Sequence, residues 1–92
     1  MKSVKVELVK NEDPIFYYSR GLEKQGRLEV EISYAIEETE GFYILNQFCM
    51  KLLSDIAFED EGTLELQDKR KISYHVEKSK HLNKLVYMID LE

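Results

Sequence analysis

Between Arg27 and Phe58 the apolar residues change their period, and this change restricts the chain to folds that set a helix against a sheet. From Arg27 to Ile36, Leu28, Val30, Ile32, Tyr34 and Ile36 alternate with Glu29, Glu31, Ser33 and Ala35. Successive side chains of a strand point to opposite faces, so strict alternation predicts a strand with one apolar and one polar face. From Gly41 to Phe58, apolar residues recur three and four apart at Phe42, Leu45, Cys49, Leu52 and Ile56, with Phe48, Leu53 and Ala57 beside them. That spacing makes one broad stripe on a helix over 41–58, about 27 Å long. Thr39 is placed to cap its amino end, and Glu37, Glu38 and Glu40 suit the positive pole of the helix dipole. Gly62 is placed to stop it.

Short alternating runs flank this switch. Val4, Val6 and Leu8 predict a first strand, and Asn11-Glu12-Asp13-Pro14 a turn. Ile15–Tyr18 predicts a second strand, followed by a loop over 19–27 whose interior, Leu22–Gln25, suits a short helical turn. After the helix, strands are expected at Thr63–Gln67, Lys71–Glu77 and Lys84–Leu91, with Asp68-Lys69-Arg70 as a hairpin turn and Ser79–Asn83 as a polar link. The last run is apolar on both faces, at Leu85, Tyr87, Ile89 and Leu91 and again at Val86 and Met88, which predicts a central strand. The expected class is therefore α+β: a mainly antiparallel sheet of six strands in the order β-β-β-α-β-β-β, with one helix on one face. A chain of 92 residues suits a single domain of this kind over 1–92. One helix does not cover six strands, so some apolar sheet surface is expected to remain, which a homodimer formed through that face or a sheet edge would bury.

Several function classes lose weight on composition. The single cysteine, Cys49, excludes an internal disulfide framework. Met1–Lys10 has no continuous apolar core of a leader, and the longest apolar run is Leu85–Ile89, so a cytoplasmic, non-membrane protein is expected.

Residues capable of chemistry are few and scattered. His75 and His81 have no cysteine or carboxylate pair at metal-ligand spacing, so no metal is expected, and no cofactor motif is present. Cys49 falls on the apolar helix stripe, the setting of a core thiol rather than of a nucleophile. Gly21 and Gly26 lack the spacing of a phosphate-binding loop. Phe16, Tyr17 and Tyr18 read as core and interface aromatics rather than a base-stacking platform, because only Arg20 stands near them. No catalytic residue is expected; were the chain a small enzyme, His75, His81 and Tyr74 would be the first candidates.

Charge is the more informative feature. Residues 29–65 hold ten acids against Lys51 alone, whereas residues 66–84 hold six basic residues against Asp68 and Glu77. Glu59, Asp60 and Glu61 follow the predicted helix, where the dipole disfavours negative charge by about 0.3–1 kcal/mol per group. The basic hairpin at Lys69, Arg70 and Lys71 is too small, in a chain of net charge −5, to make nucleic-acid binding the main role. The expectation from sequence is a non-enzymatic binding protein that presents Glu29, Glu31, Glu37, Glu38, Glu40, Glu59, Asp60 and Glu61 to a basic protein partner. An inhibitor or nucleic-acid mimic, of the general type found among accessory proteins of bacteria, phages and mobile elements, is its sharper form. The alternative is a structural subunit that makes its contacts through the apolar face bearing Val86 and Met88.

Overall fold

A computed structural model describes residues 6–34, 36–54 and 58–91. Six strands, β1 (Glu7–Glu12), β2 (Ile15–Arg20), β3 (Glu29–Ile32), β4 (Glu61–Glu65), β5 (Lys71–Lys78) and β6 (Leu85–Leu91), form one sheet, and one helix, α1 (Glu38–Ser54), packs on it. The class and element order are those expected from the sequence. Across the sheet the strands run β1-β2-β3-β6-β5-β4. Two antiparallel three-stranded units therefore meet at a parallel seam, where Glu29, Val30 and Glu31 stand beside Val86, Tyr87 and Met88. As its two apolar faces predict, β6 is central, with β3 on one side and β5 on the other.

Element boundaries differ from expectation in several places. The strand expected over 27–36 is only Glu29–Ile32, and all four of its residues are buried. Its pairing with β2 ends where Ser19 intrudes: the Val30 N–H donates to Ser19 Oγ (2.9 Å) instead of to a backbone carbonyl. β1 runs on through Asn11 and Glu12, because both pair with β2, and the turn shrinks to Asp13 and a cis Pro14. Val4 lies outside the described residues. The helix begins earlier than expected, since the Gly41 N–H already reaches the Glu37 carbonyl (2.8 Å). Thr39 is thus inside the first turn and not at the cap. Asp55, Ile56 and Ala57 lie outside the described residues, and Gly62 is part of β4 rather than a helix stop.

Gly41, Ile44, Leu45, Phe48, Cys49 and Leu52 form the buried side of α1. They share one core with Tyr17, Val30, Ile32, Ile72, Tyr74, Tyr87 and Ile89 of the sheet. α1 lies over β1, β2 and β3. The β5–β6 half is filled by an aromatic cluster in which Phe48 and Phe58 meet Tyr74 at 5.1 and 5.0 Å and Tyr87 at 5.7 and 5.5 Å between ring centres. Such offset and edge-to-face pairs add stabilisation beyond the area they bury.

The middle of the second sheet face, at β3 and β6, is covered within the chain. The 79–84 link folds back over it as an ordered loop closed by Ser79 N–H to Lys84 C=O (2.8 Å) and Asn83 N–H to Ser79 C=O (2.9 Å). His81 stacks on Phe16 with ring centres 4.1 Å apart. Val86 is fully buried and Met88 only 9% exposed. The apolar side chains Val86 and Met88 on this face are therefore already out of water.

Gly41 is where α1 approaches β2 most closely: a methyl group there would stand 2.9–3.0 Å from three carbons of the Tyr17 ring. That ring cannot retreat, because it is buried and its hydroxyl donates to the Ile36 carbonyl (2.5 Å). Glycine to alanine in a helix normally gains about 1 kcal/mol. Here an overpacking cost of about 1–3 kcal/mol opposes the gain. Gly41→Ala is expected to lower stability by about 1–2 kcal/mol, read as a lower urea midpoint at unchanged slope; a raised midpoint would contradict the close approach.

Candidate functional site

The acidic residues singled out from the sequence separate into three groups. Glu29 and Glu31 are not on the surface: they are 2% and 0% exposed, and the expectation that they form part of an acidic face is corrected. Alternation gave them a face of their own, but Glu31 is closed in by Ser79 of the 79–84 loop and Glu29 by the 19–23 turn, near Cys49 of α1. The Glu29 carboxyl group accepts from Ser19 Oγ (2.8 Å) and from the backbone N–H groups of Gly21 (3.1 Å), Leu22 (3.2 Å) and Glu23 (3.1 Å). It thereby holds the turn that leads into the 3₁₀ segment Glu23–Gln25, a turn that also requires Gly21 at a φ of 118°. Glu31 accepts from Ser33 Oγ (2.6 Å) and, through its other oxygen, from Ser79 Oγ at very short range. Ser79 Oγ in turn accepts from the Leu82 N–H (3.0 Å) and so organises the loop. Among the described residues no buried side-chain nitrogen or oxygen lacks a partner.

Glu37, Glu38 and Glu40 stand at the amino end of α1. Glu40 is bound to Arg70 (2.5 Å), which also holds Asp68 (2.7 Å) and lies over the Tyr43 ring. Arg70 thus pins the β4–β5 hairpin to the helix and is not a free phosphate ligand. Glu59, Asp60 and Glu61 are exposed at the other end of α1, where the chain enters β4, with Arg27 and Asp60 both near Tyr87. A helix of 17 residues spans about 25 Å, so the two exposed groups do not merge into one patch. The predicted helix length already implied this separation, since one group precedes the helix and the other follows it.

The residues with chemical potential are occupied structurally. Burial pushes the Cys49 thiol up to about 12, which leaves no thiolate for attack at neutral pH. Tyr74 belongs to the aromatic core. His75, half-exposed, lies in a cluster that sequence reasoning missed: Nε2 meets Glu77 (2.6 Å), Nδ1 meets Asp90 (3.1 Å), and the Tyr34 hydroxyl donates to the other Asp90 oxygen (3.0 Å). The pair His75 and Glu77, two apart on one strand face, was visible in the sequence, but Asp90 joins only through the β5–β6 register. With both ring nitrogens engaged by carboxylates, His75 has no free site to act as a base. The Glu77 hydrogen bond above all, and the Asp90 charge, hold its pKa above the ordinary 6.5. Tyr34 is likewise raised, chiefly by its hydrogen bond to Asp90. Among the described residues no three His, Cys, Asp or Glu side chains gather as a metal site.

β4, like β1, is an edge strand of the sheet. β4 pairs with β5 alone, and between it and α1 runs an open groove of about 560 Å³. Gln47, Met50 and Lys51 line it from the helix, and Leu64, Glu65 and Leu66 from the strand side. Met50, at 55% exposure, is the most exposed large apolar side chain among the described residues.

The chain matches no protein-family model, no curated protein and no solved structure at a significant level.

Two predictions test these assignments. Glu29→Gln leaves one acceptor oxygen for four donors and is expected to lower stability by about 2 kcal/mol in urea unfolding, whereas the exposed Glu37→Gln changes it by less than about 0.5. The second concerns His75, whose pKa is higher folded than unfolded. Its stabilising contribution is complete below the ordinary value of 6.5 and is lost as pH rises through the higher native value. Titration by NMR is expected to give His75 a pKa above 6.5 that falls in Glu77→Gln; a value at or below 6.5 would contradict the cluster.

Proposed function

We propose that the chain is a non-enzymatic binding protein that engages a basic segment of a partner protein through Glu59, Asp60 and Glu61. The observation that carries this reading is their position: they are exposed, consecutive, and lead directly into a sheet-edge strand whose outer edge no other strand covers among the described residues. Glu29 and Glu31 have no part in it, because their carboxyl groups are committed to backbone and serine donors inside the fold. The amino end of α1 is a weaker candidate, since Arg70 neutralises Glu40 there and Lys69 and Lys71 share its hairpin.

The engaged histidine, the buried thiol and the satisfied carboxyl groups favour binding over catalysis. The mimicry of nucleic acid by one continuous acidic face finds no support in two groups about 25 Å apart. An assembly role through Val86 and Met88 is likewise unsupported, as both are buried within the chain.

The reading is tested with a panel of fluorescent 12-residue peptides graded in Lys and Arg content. Binding is expected only for basic peptides, to weaken with added salt, and to fall more than tenfold in Glu59→Lys/Asp60→Lys/Glu61→Lys, while Glu37→Lys/Glu38→Lys retains it. Equal loss in both variants would indicate a diffuse charge effect and sink the assignment.

A further inference from the structure

The β4 edge has a geometry more specific than negative charge. In the β4–β5 hairpin the Leu66 N–H donates to the Arg70 carbonyl (2.7 Å), and Lys69, at a φ of 76°, closes the turn. Leu66 and Arg70 are thus a hydrogen-bonded pair, and antiparallel ladders alternate such pairs with pairs whose backbone groups face away. The register Glu65↔Lys71, Leu64↔Ile72, Thr63↔Ser73, Gly62↔Tyr74 and Glu61↔His75 then assigns every backbone group. Gly62 and Leu64 bond to β5. Glu61, Thr63 and Glu65 turn their N–H and C=O groups outward, toward nothing among the described residues.

The side chains follow the same alternation. Leu64 shares the face of α1, whereas Glu61, Thr63 and Glu65 alternate to the opposite face; as edge residues, Thr63 and Glu65 border the groove together with Leu64. A strand laid on this edge would thus meet two acids and a threonine on one side. On the other side it would meet an apolar groove bounded by Met50, Leu64 and Leu66.

Resting on the acidic-edge reading above, we propose that β4 accepts an extended peptide as a seventh strand, antiparallel to it. The peptide carries Lys or Arg at positions i and i+4, opposite Glu65 and Glu61, and apolar residues at i+1 and i+3 directed into the groove. Added strands draw affinity from main-chain hydrogen bonds and specificity from alternate side chains. A second copy of the chain is excluded as the occupant by charge. Antiparallel pairing of β4 with itself, centred on Thr63, sets Glu61 against Glu65 twice, and like charges directly opposite each other are destabilising. Lys51 on the groove wall, Lys71 opposite Glu65 and Arg27, which with Asp60 lies near Tyr87, are basic residues nearby. Against Glu59, Asp60, Glu61 and Glu65 they leave the edge net negative.

The probe is a fluorescent peptide containing Lys-Val-Thr-Val-Lys, beside the same peptide N-methylated at the threonine and final lysine. Both are titrated against the wild-type chain, Thr63→Pro, and Glu61→Lys/Glu65→Lys. Thr63→Pro removes an outward N–H that β5 does not use, and its fold is verified by thermal unfolding. Strand addition predicts binding of the unmethylated peptide with amide shifts confined to 61–66 and the facing turns of α1. It also predicts at least a tenfold loss on N-methylation, and again in each variant. If N-methylation and Thr63→Pro leave binding intact while Glu61→Lys/Glu65→Lys abolishes it, strand addition is overturned and the acidic surface stands. Absence of binding to any basic peptide overturns both. Dimerisation that Thr63→Pro abolishes would show that a second copy, not a peptide, takes the edge.

Discussion

Two carboxyl groups on a four-residue strand hold the middle of this molecule together. Glu29 and Glu31 are enclosed, and enclosure of an acid is tolerable only when its oxygens find donors. The donors come from elements that no strand pairing would otherwise fix: the turn at Gly21–Glu23 and the loop that starts at Ser79. Neither loop can leave the sheet without stranding a carboxyl group, so the sheet and its irregular coverings form one cooperative unit. The same commitment decides what the surface is, because the acids with the most evident strand positions are withdrawn from it.

What remains outside is arranged by the helix. Its 17 residues hold Glu37, Glu38 and Glu40 apart from Glu59, Asp60 and Glu61. Arg70 further divides the two ends by tying the β4–β5 hairpin to Glu40. The helix lies over the first three strands, and the aromatic cluster around Phe48 and Phe58 fills the other half of the core. β4 is left beyond both coverings, with its outer backbone unpaired and a groove at its side. Net charge and local charge therefore differ in meaning: the acid-rich segment of sequence supplies two interior props, a helix start and a strand edge.

The sequence made the helix, the central position of β6 and the core role of Cys49 legible, because each depends on periodicity within a short window. The burial of Glu29 and Glu31 was not legible, since alternation says which residues share a face and not what covers it. The cover is a polar loop whose key contact, Ser79 to Glu31, lies 48 residues away. Polar residues from Ser79 to Asn83 read as a solvated link, and nothing local distinguishes such a link from a lid. The His75–Asp90 contact and the outward backbone of β4 were hidden for the related reason that strand register is a non-local property. The separation of the two acidic ends was within reach, as the length of the predicted helix contained it.

The parallel seam has a consequence for the order in which the chain can acquire structure. β1, β2 and β3 are contiguous and pair by short connections, yet the free side of β3 is completed only by β6, with Ser33 and Met88 lying 55 residues apart. A chain emerging from the ribosome thus carries a three-stranded fragment whose newest strand is open along one edge and bears one acid, Glu31, still lacking its Ser79 donor. Contacts of this sequence separation are closed late because loop entropy opposes them. Until Ser79 arrives, the second Glu31 oxygen is left to water, which disfavours pairing of that open edge with a neighbouring nascent chain.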